Sequence, residues 1–141
     1  METMSIRVKK LSPDAKLPER AHNSAGYDLF AIQDHHIPPG GTAKIPLGIA
    51  VEFPPGYAAL VWDRSGMGAK GVHRFAGVID ADYRGEWSVI LHNSTPNEVI
   101  ILRGDKIAQV LFQRVENWPV TEVTELSNTS RGSGGFGTTD R

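Results

Sequence analysis

The chain of 141 residues fits one domain, and a chain of that length buries roughly 68–70% of its unfolded surface, enough for a real core. Its composition, 40% apolar and 22% charged, reads as globular, and a formal net charge of −1 gives no general pull on nucleic acid or acidic membranes, so any anion must be held by a local site. No cysteine is present, which excludes a disulfide framework and thiolate chemistry; no apolar run nears the roughly 18 residues of a membrane span, and residues 1–10 lack the apolar core of a signal peptide, so the cytoplasm is the expected location.

Residues 5–11 read as a strand, with Ile6 and Val8 alternating against Arg7 and Lys9, and Pro13 and Pro18 then break the pattern. A short strand over 24–31 carries Gly26 at its entry, and Pro38-Pro39-Gly40-Gly41 is a strong turn signal. Residues 42–47 and 49–53 are two short strands before the turn Pro54-Pro55-Gly56. Residues 57–62 are apolar almost throughout and are expected to form a strand buried on both faces. Asp63 to Gly68 interrupt it, with room for one short helical turn. Residues 72–79 and 86–91 are strands flanking a polar bend, 93–97 a turn, and 99–102 and 106–115 strands, the last with Ile107, Val110 and Phe112 as apolar residues. Turn signals recurring about every ten residues, with no sustained helical period, predict an all-β fold, a closed, jelly-roll-like β barrel. Composition changes at Ser127: residues 1–126 read as the barrel domain, and 127–141, with one large apolar residue, as a flexible Gly-rich C-terminal tail.

The polar bend is Gly77-Val78-Ile79-Asp80-Ala81-Asp82-Tyr83-Arg84-Gly85. Strand formers on both sides place it at the bend of a β-hairpin. On an extended chain Asp80 and Asp82 point to one face, and Ala81 and Tyr83 to the other. Taken alone it also reads as a solvated turn whose Asp side chains bond their own backbone.

Three other places are suited to phosphate. Arg64-Ser65-Gly66 offers a cation, a hydroxyl and an approachable backbone N–H. The tail offers Arg131, then Gly135, Gly137, Thr138 and Thr139, with amides left unshielded in the manner of a phosphate-cradling loop, though such tails are also common linkers. Gln109 is a neutral donor that could reach a third oxygen. Phe136 has no core to join; stacking on a base would contribute roughly 1–3 kcal/mol, and an incidental exposed ring is the bland alternative. The adjacent His35 and His36 point to opposite faces of a strand and cannot share a metal, and His22, His73 and His92 are scattered. Phosphate-bound Mg2+ fits better, with Asp28 as an outer-sphere partner, because Mg2+ needs only one or two protein carboxylates.

Together these residues resemble the homotrimeric dUTP pyrophosphatases (dUTPases) over nearly the whole length. The resemblance rests on Ala25-Gly26-Tyr27-Asp28-Leu29, Arg64-Ser65-Gly66-Met67-Gly68, the bend at 77–85, Gly104-Asp105-Lys106-Ile107-Ala108-Gln109, and Arg131-Gly132-Ser133-Gly134-Gly135-Phe136-Gly137-Thr138-Thr139, in that order. It implies hydrolysis of dUTP to dUMP and pyrophosphate, with Asp80 as the general base for the attacking water and Asp28 holding a Mg2+-bound water. It implies that Arg64, Ser65, Gly66 and Gln109 grip the phosphates, that Arg131, Gly137, Thr138 and Thr139 close over the γ end, and that Phe136 stacks on uracil. Tyr83 would pack under the deoxyribose and reject a 2′-OH, and backbone groups from Phe75 through Gly77, Val78 and Ile79 would read uracil. Asp82 is assigned to the bend's structure, since two close carboxylates perturb each other. A homotrimer with composite sites is implied, with dUTP as partner and neither nucleic acid nor membrane. Asp63, Asp140, Arg74 and a short segment between Gly68 and Asp80 depart from the family's usual pattern. The related dCTP deaminases need a catalytic glutamate where Ile90 stands, and a non-enzymatic nucleotide-binding barrel would have no use for Asp80 beside a phosphate tail.

Overall fold

A computed structural model describes residues 4–137, and among these it contains eleven strands and one short helix. In chain order the elements are β1 (Arg7–Lys10), β2 (Tyr27–Phe30), β3 (His35–Ile37), β4 (Thr42–Pro46), β5 (Ile49–Glu52), β6 (Tyr57–Trp62), α1 (Ser65–Ala69), β7 (Val72–Phe75), β8 (Val78–Ile79), β9 (Ser88–Asn93), β10 (Val99–Ile101) and β11 (Lys106–Arg114). The expected all-β, jelly-roll-like fold is present, and the short helical turn after β6 is α1. The short, turn-separated strands pair antiparallel throughout.

The expected closure is not. Strand pairing is divided among four sheets, β2-β11-β6-β8, β4-β9-β7, β1-β5 and β10-β3. Each strand belongs to one of these sheets, and among the described residues no single hydrogen-bonded ladder runs around the body.

A second correction concerns residues 72–79. They are two strands in different sheets: β7 pairs with β9, His73 opposite His92 and Phe75 opposite Ile90, whereas β8 pairs with β6, Ile79 opposite Ala59. The chain turns between them at Ala76 and Gly77, whose φ angles are 62° and 126°. Positive φ is costly for a residue with a Cβ and routine for glycine. At Gly77 the approach is close as well: the Gly77 carbonyl accepts from the Val61 N–H at 2.7 Å, and a Cβ at Gly77 would stand 2.9 Å from Val61 Cβ and 3.0 Å from its carbonyl oxygen. The hairpin is therefore β7–β9, and β8 is peeled from it onto the neighbouring sheet.

Strand β6 departs from burial on both faces. Ala58, Ala59 and Val61 are buried, but Trp62 is 47% exposed. Strand β3 carries no turn-bounded apolar run and was not anticipated; it pairs with β10 and buries Ile37 fully.

The core gathers Leu29, Ile45, Leu47, Ile49, Leu91 and Val110 around Trp87, which is 1% exposed. The Trp87 ring meets Phe53 edge-on and Phe112 tilted, each at 6.5 Å between centroids. Asn93 is wholly buried because its amide is fully used: Nδ2 donates to the carbonyls of Ile37 and Asn97, and Oδ1 accepts from the N–H and hydroxyl of Thr95. Strand β11 ends at Arg114, and the described residues beyond it, 115–137, form no strand. Trp118 and Leu126 on that stretch are 77% and 85% exposed, so packing ends before the composition changes at Ser127.

Gly77→Ala combines a left-handed backbone with a clash against Val61 and is expected to destabilise the fold by about 1–3 kcal/mol. A thermal melt unchanged from the wild type would contradict the reversal at Gly77.

Candidate active site

Two groups of residues singled out from the sequence lie on the four-stranded sheet. The first is a row across three strands. Asp28 on β2 faces Gln109 on β11, and Gln109 faces Trp62 on β6. Residues directly opposite in a sheet share a face, so the three side chains stand side by side. Gly26 makes room for the middle one: a Cβ there would come within 2.5 Å of Gln109 Oε1 and 3.1 Å of its Cβ. Gln109 Nε2 donates to the Asp63 carbonyl at 2.8 Å, which aims the amide at the loop after β6.

That loop brings the cations. Arg64 Nε lies 3.6 Å from Asp28 Oδ1, and Lys106 Nζ 3.5 Å from Oδ2. The carboxylate is about one-fifth exposed and Arg64 about two-fifths, so the pairs are solvated and exchangeable rather than locked. Arg64 also donates to the Lys106 carbonyl at 3.4 Å and is the N-cap of α1, its own carbonyl accepting from the N–H groups of Met67 and Gly68. The N–H groups of Ser65 and Gly66 belong to the first turn and have no acceptor within the helix. Both residues are exposed. A groove of about 780 Å³, bordered by Arg64, Lys70, Glu98, Asp105 and Lys106, opens beside this row.

The second group is the bend. Residues 80–83 form a turn closed by the Tyr83 N–H donating to the Asp80 carbonyl at 3.2 Å. The expected extended alternation, with Asp80 and Asp82 on one face, is therefore replaced by a reversal directly after β8. Asp80 and Asp82 are both exposed. Tyr83 is 46% exposed; its hydroxyl donates to the Glu86 carbonyl at 3.1 Å, and its ring lies against Gly85 where any side chain would collide. Val78 is 72% exposed and Phe75 43%, and Phe75 stacks on His92 at 4.9 Å. Ile90, the position at which a deaminase would need a carboxylate, sits on β9 opposite Phe75.

Two residues of this region escaped the sequence reading. Arg84, given no role there, donates through Nη1 to the carbonyls of Ala81 at 2.7 Å and Tyr83 at 3.3 Å, and its Nη2 lies 3.3 Å from Glu52 Oε1. Arg74, noted only as a departure, has its guanidinium 4.7 Å over the Trp62 ring, and its backbone N–H donates to Asp63 Oδ1 at 2.7 Å. No local pattern signals the contacts with Glu52 and Trp62, because those partners are set by sheet topology; the bonds to Ala81 and Tyr83 are local to the turn.

The tail contacts itself. Arg131 Nε donates to the Gly134 carbonyl at 2.6 Å, the Gly134 N–H to the Arg131 carbonyl at 3.2 Å, and the Gly132 N–H to Thr129 Oγ1 at 3.1 Å. Phe136 is fully solvated and Gly137 exposed, and among the described residues no aromatic ring stacks on Phe136. Thr138 and Thr139 lie outside the described residues.

Within one chain the two groups do not meet. Gly77 is bonded to Val61, one residue before Trp62, so Asp80 lies about three strands across and four residues along from Asp28; strand spacings make that roughly 20 Å. Among the described residues, no hydrogen bond or ion pair joins the tail to either group. The donor chemistry also bears on a metal: among the described residues no cluster of three or more His, Asp or Glu is arranged around a common point. Asp28 offers one carboxylate beside cations, which suits a hydrated Mg2+ carried by a phosphate chain and does not suit a resident ion. His36 pairs with Glu98 at 2.7 Å instead of with His35.

The family model described as dUTPase matches residues 14–140. A deoxyuridine 5'-triphosphate nucleotidohydrolase of Thermobifida fusca is 44% identical over 97% of this chain and 79% of its own length. Among solved structures, the dUTPase of Staphylococcus bacteriophage 80alpha with dUPNHPP is similar with a TM-score of 0.92 and 29% identity, over 98% of this chain and 99% of that one. A mutant dUTPase from phage phi11 of Staphylococcus aureus, whose structure concerns coordination of a structural Mg(II) ion, is similar with a TM-score of 0.83 and 27% identity, over 88% of this chain and 99% of that one.

Gly26→Ala forces the Gln109 amide out of the row. If Gln109 is a ligand group, affinity for a nonhydrolysable dUTP analogue falls roughly 2- to 10-fold, the loss of one hydrogen bond. A titration with unchanged affinity removes Gln109 from the site.

Proposed function

The chain belongs to the dUTPase family and acts as a dUTP diphosphatase, and from that premise we propose that it works by base-assisted attack of water on the α-phosphorus at sites built from several copies of the chain. The observation that carries the composite reading is the separation on the sheet: the exposed Asp80 turn leaves β8 at one edge, while Asp28 stands on β2 at the other, roughly 20 Å away on strand spacings. A second copy that lays its turn against this row would complete the site. The likeness to the homotrimeric dUTPases supports three copies around such sites, a third copy contributing the tail.

In the assembled site Asp80 takes a proton from the attacking water as the water oxygen bonds to the α-phosphorus. The bond from that phosphorus to the bridging oxygen breaks, and pyrophosphate leaves with dUMP behind. A positioned base of this kind contributes about 10²- to 10⁴-fold. Mg2+ arriving on the triphosphate would neutralise charge on the phosphate oxygens. Asp28 would hold water of its hydration shell, which the neighbouring Arg64 and Lys106 leave partly exposed. Arg64, Ser65 and Gly66 bind phosphate oxygens through a guanidinium and the first-turn N–H groups of α1, and Gln109 donates to the α-phosphate.

Tyr83, its ring fixed by the hydroxyl bond to Glu86, fills the space a 2′-OH would need. Backbone groups of residues 75–79 read uracil, an arrangement that the peeled strand β8 leaves accessible. Arg131, Gly137, Thr138 and Thr139 close over the γ end and Phe136 stacks on the base. In this reading the enzyme works in the cytoplasm, limits uracil incorporation into DNA and supplies dUMP for thymidylate synthesis.

Pyrophosphate release from dUTP with Mg2+, compared with dCTP, dTTP and UTP, tests the specificity; turnover of UTP at the dUTP rate would remove the role given to Tyr83. Asp80→Asn is expected to abolish turnover and leave nucleotide affinity near that of the wild type. With dUTP held low enough that Gln109→Ala chains alone turn over little, mixing them with Asp80→Asn chains, after dissociation and reassembly, should restore activity at about one site in four if each site joins two copies. Absence of recovery would argue for sites contained within one chain. Truncation after Ser127 should leave a folded assembly with little activity, and unfolding of that variant would make the tail structural.

A further inference from the structure

Residues 80–85 carry the base that the proposed function requires, and little in the fold holds them. Strand β8 before them has two residues, and the turn's own backbone bond, from Tyr83 to Asp80, is internal. The hydroxyl of Tyr83 reaches only Glu86. Ala81 packs on the core, but among the described residues the one polar tie from this segment to another strand is that of Arg84. Its guanidinium is shared between two tasks. Nη1 donates to the carbonyls of Ala81 and Tyr83, on either side of the turn's apex, and Nη2 meets Glu52 Oε1 at 3.3 Å on β5. Glu52 is anchored in turn: its Oε2 accepts from Arg7 Nη1 at 2.6 Å, and Arg7 is its direct cross-strand partner on β1.

We infer that Arg84 is a positioning residue for Asp80, with Glu52 and Arg7 forming the strut that fixes it to the β1–β5 sheet. The inference rests on the reading of Asp80 as the base. A planar guanidinium can serve two carbonyls and a carboxylate at once from one rigid fork, which an ammonium cannot do. The three side chains are 40% to 76% exposed, and exposed ion pairs of this kind add little to global stability. What the strut controls is the place of the turn, and displacement of a reacting group by about 1 Å can cost 10²-fold in rate.

The test is steady-state kinetics on the assembled enzyme with dUTP and Mg2+, together with dUMP inhibition and thermal melts. Arg84→Ala is expected to lower kcat roughly 10- to 100-fold, leaving the dUMP inhibition constant within about twofold and the melting temperature close to wild type. Arg84→Lys should recover part of the loss, because a lysine reaches one of the acceptors. Glu52→Gln should lower kcat in the same direction by less, and Arg84→Ala with Glu52→Ala should be no slower than Arg84→Ala alone, since both act through one strut. Unchanged kcat in Arg84→Ala overturns the inference. So does a dUMP constant raised about tenfold or more, which would make Arg84 a substrate ligand, and so does a melting loss as large as the activity loss. Asp80→Asn separates the two levels: full turnover in that variant sinks the base assignment itself, whereas a dead Asp80→Asn beside a fully active Arg84→Ala sinks only the strut.

Discussion

The site depends on a reversal of the backbone at Ala76 and Gly77, pinned by one hydrogen bond from Val61 and by the absence of a side chain at Gly77. Before it the chain runs in the β4-β9-β7 sheet; after it, in the β2-β11-β6-β8 sheet. Without the switch β8 would continue alongside β9 and residues 80–85 would be an ordinary hairpin tip. With it the turn leaves β8 at the edge of the sheet, and Asp80 and Tyr83 are presented to solvent beyond their own chain's phosphate-suited row. Trp87 anchors the other end: its N–H donates to the Ile49 carbonyl and its carbonyl accepts from the Leu47 N–H. Between those two fixed ends the segment is short and lightly held.

Much of the chemistry was legible in the sequence because it is carried by residue types in local patterns. Alternation and turn residues give the strand-rich fold, and the Arg64-Ser65-Gly66 group does sit at the start of a helical turn. Gln109 and Asp28 do stand in one row, although only registration of β2 on β11 could show it. The rest was hidden for a physical reason. A period of two says which face a residue takes and nothing about which strand lies beside it. The split of residues 72–79, the division into four sheets and the partner of Arg84 are all questions of pairing. Trp62 shows another limit: an apolar run predicts a strand buried on both faces, but its last residue is a solvent-facing platform for Arg74.

Charge around Asp28 illustrates how a nearly neutral chain can meet a highly charged ligand. The carboxylate lies between Arg64 and Lys106, and each cation is more exposed than the carboxylate. Such pairs are cheap to break, so under the proposed function an incoming phosphate chain would take over both cations and leave Asp28 free for water around a phosphate-borne ion. Net charge near zero is consistent with this, because the field that matters is local.

The wide spacing between the Asp28 row and the Asp80 turn has an evolutionary side. Both are mounted on one hydrogen-bonded sheet, whose repeat distances are fixed by peptide geometry and not by which side chains fill the core. A sheet used in this way is a ruler: core residues can be exchanged for others of similar volume while the register is kept. A phage enzyme with 29% identity that superposes at a TM-score of 0.92 is consistent with a backbone kept while side chains change. It also means that single-residue insertions in β6 or β11, which break the ruler, should be rarer among functional descendants than almost any substitution within those strands.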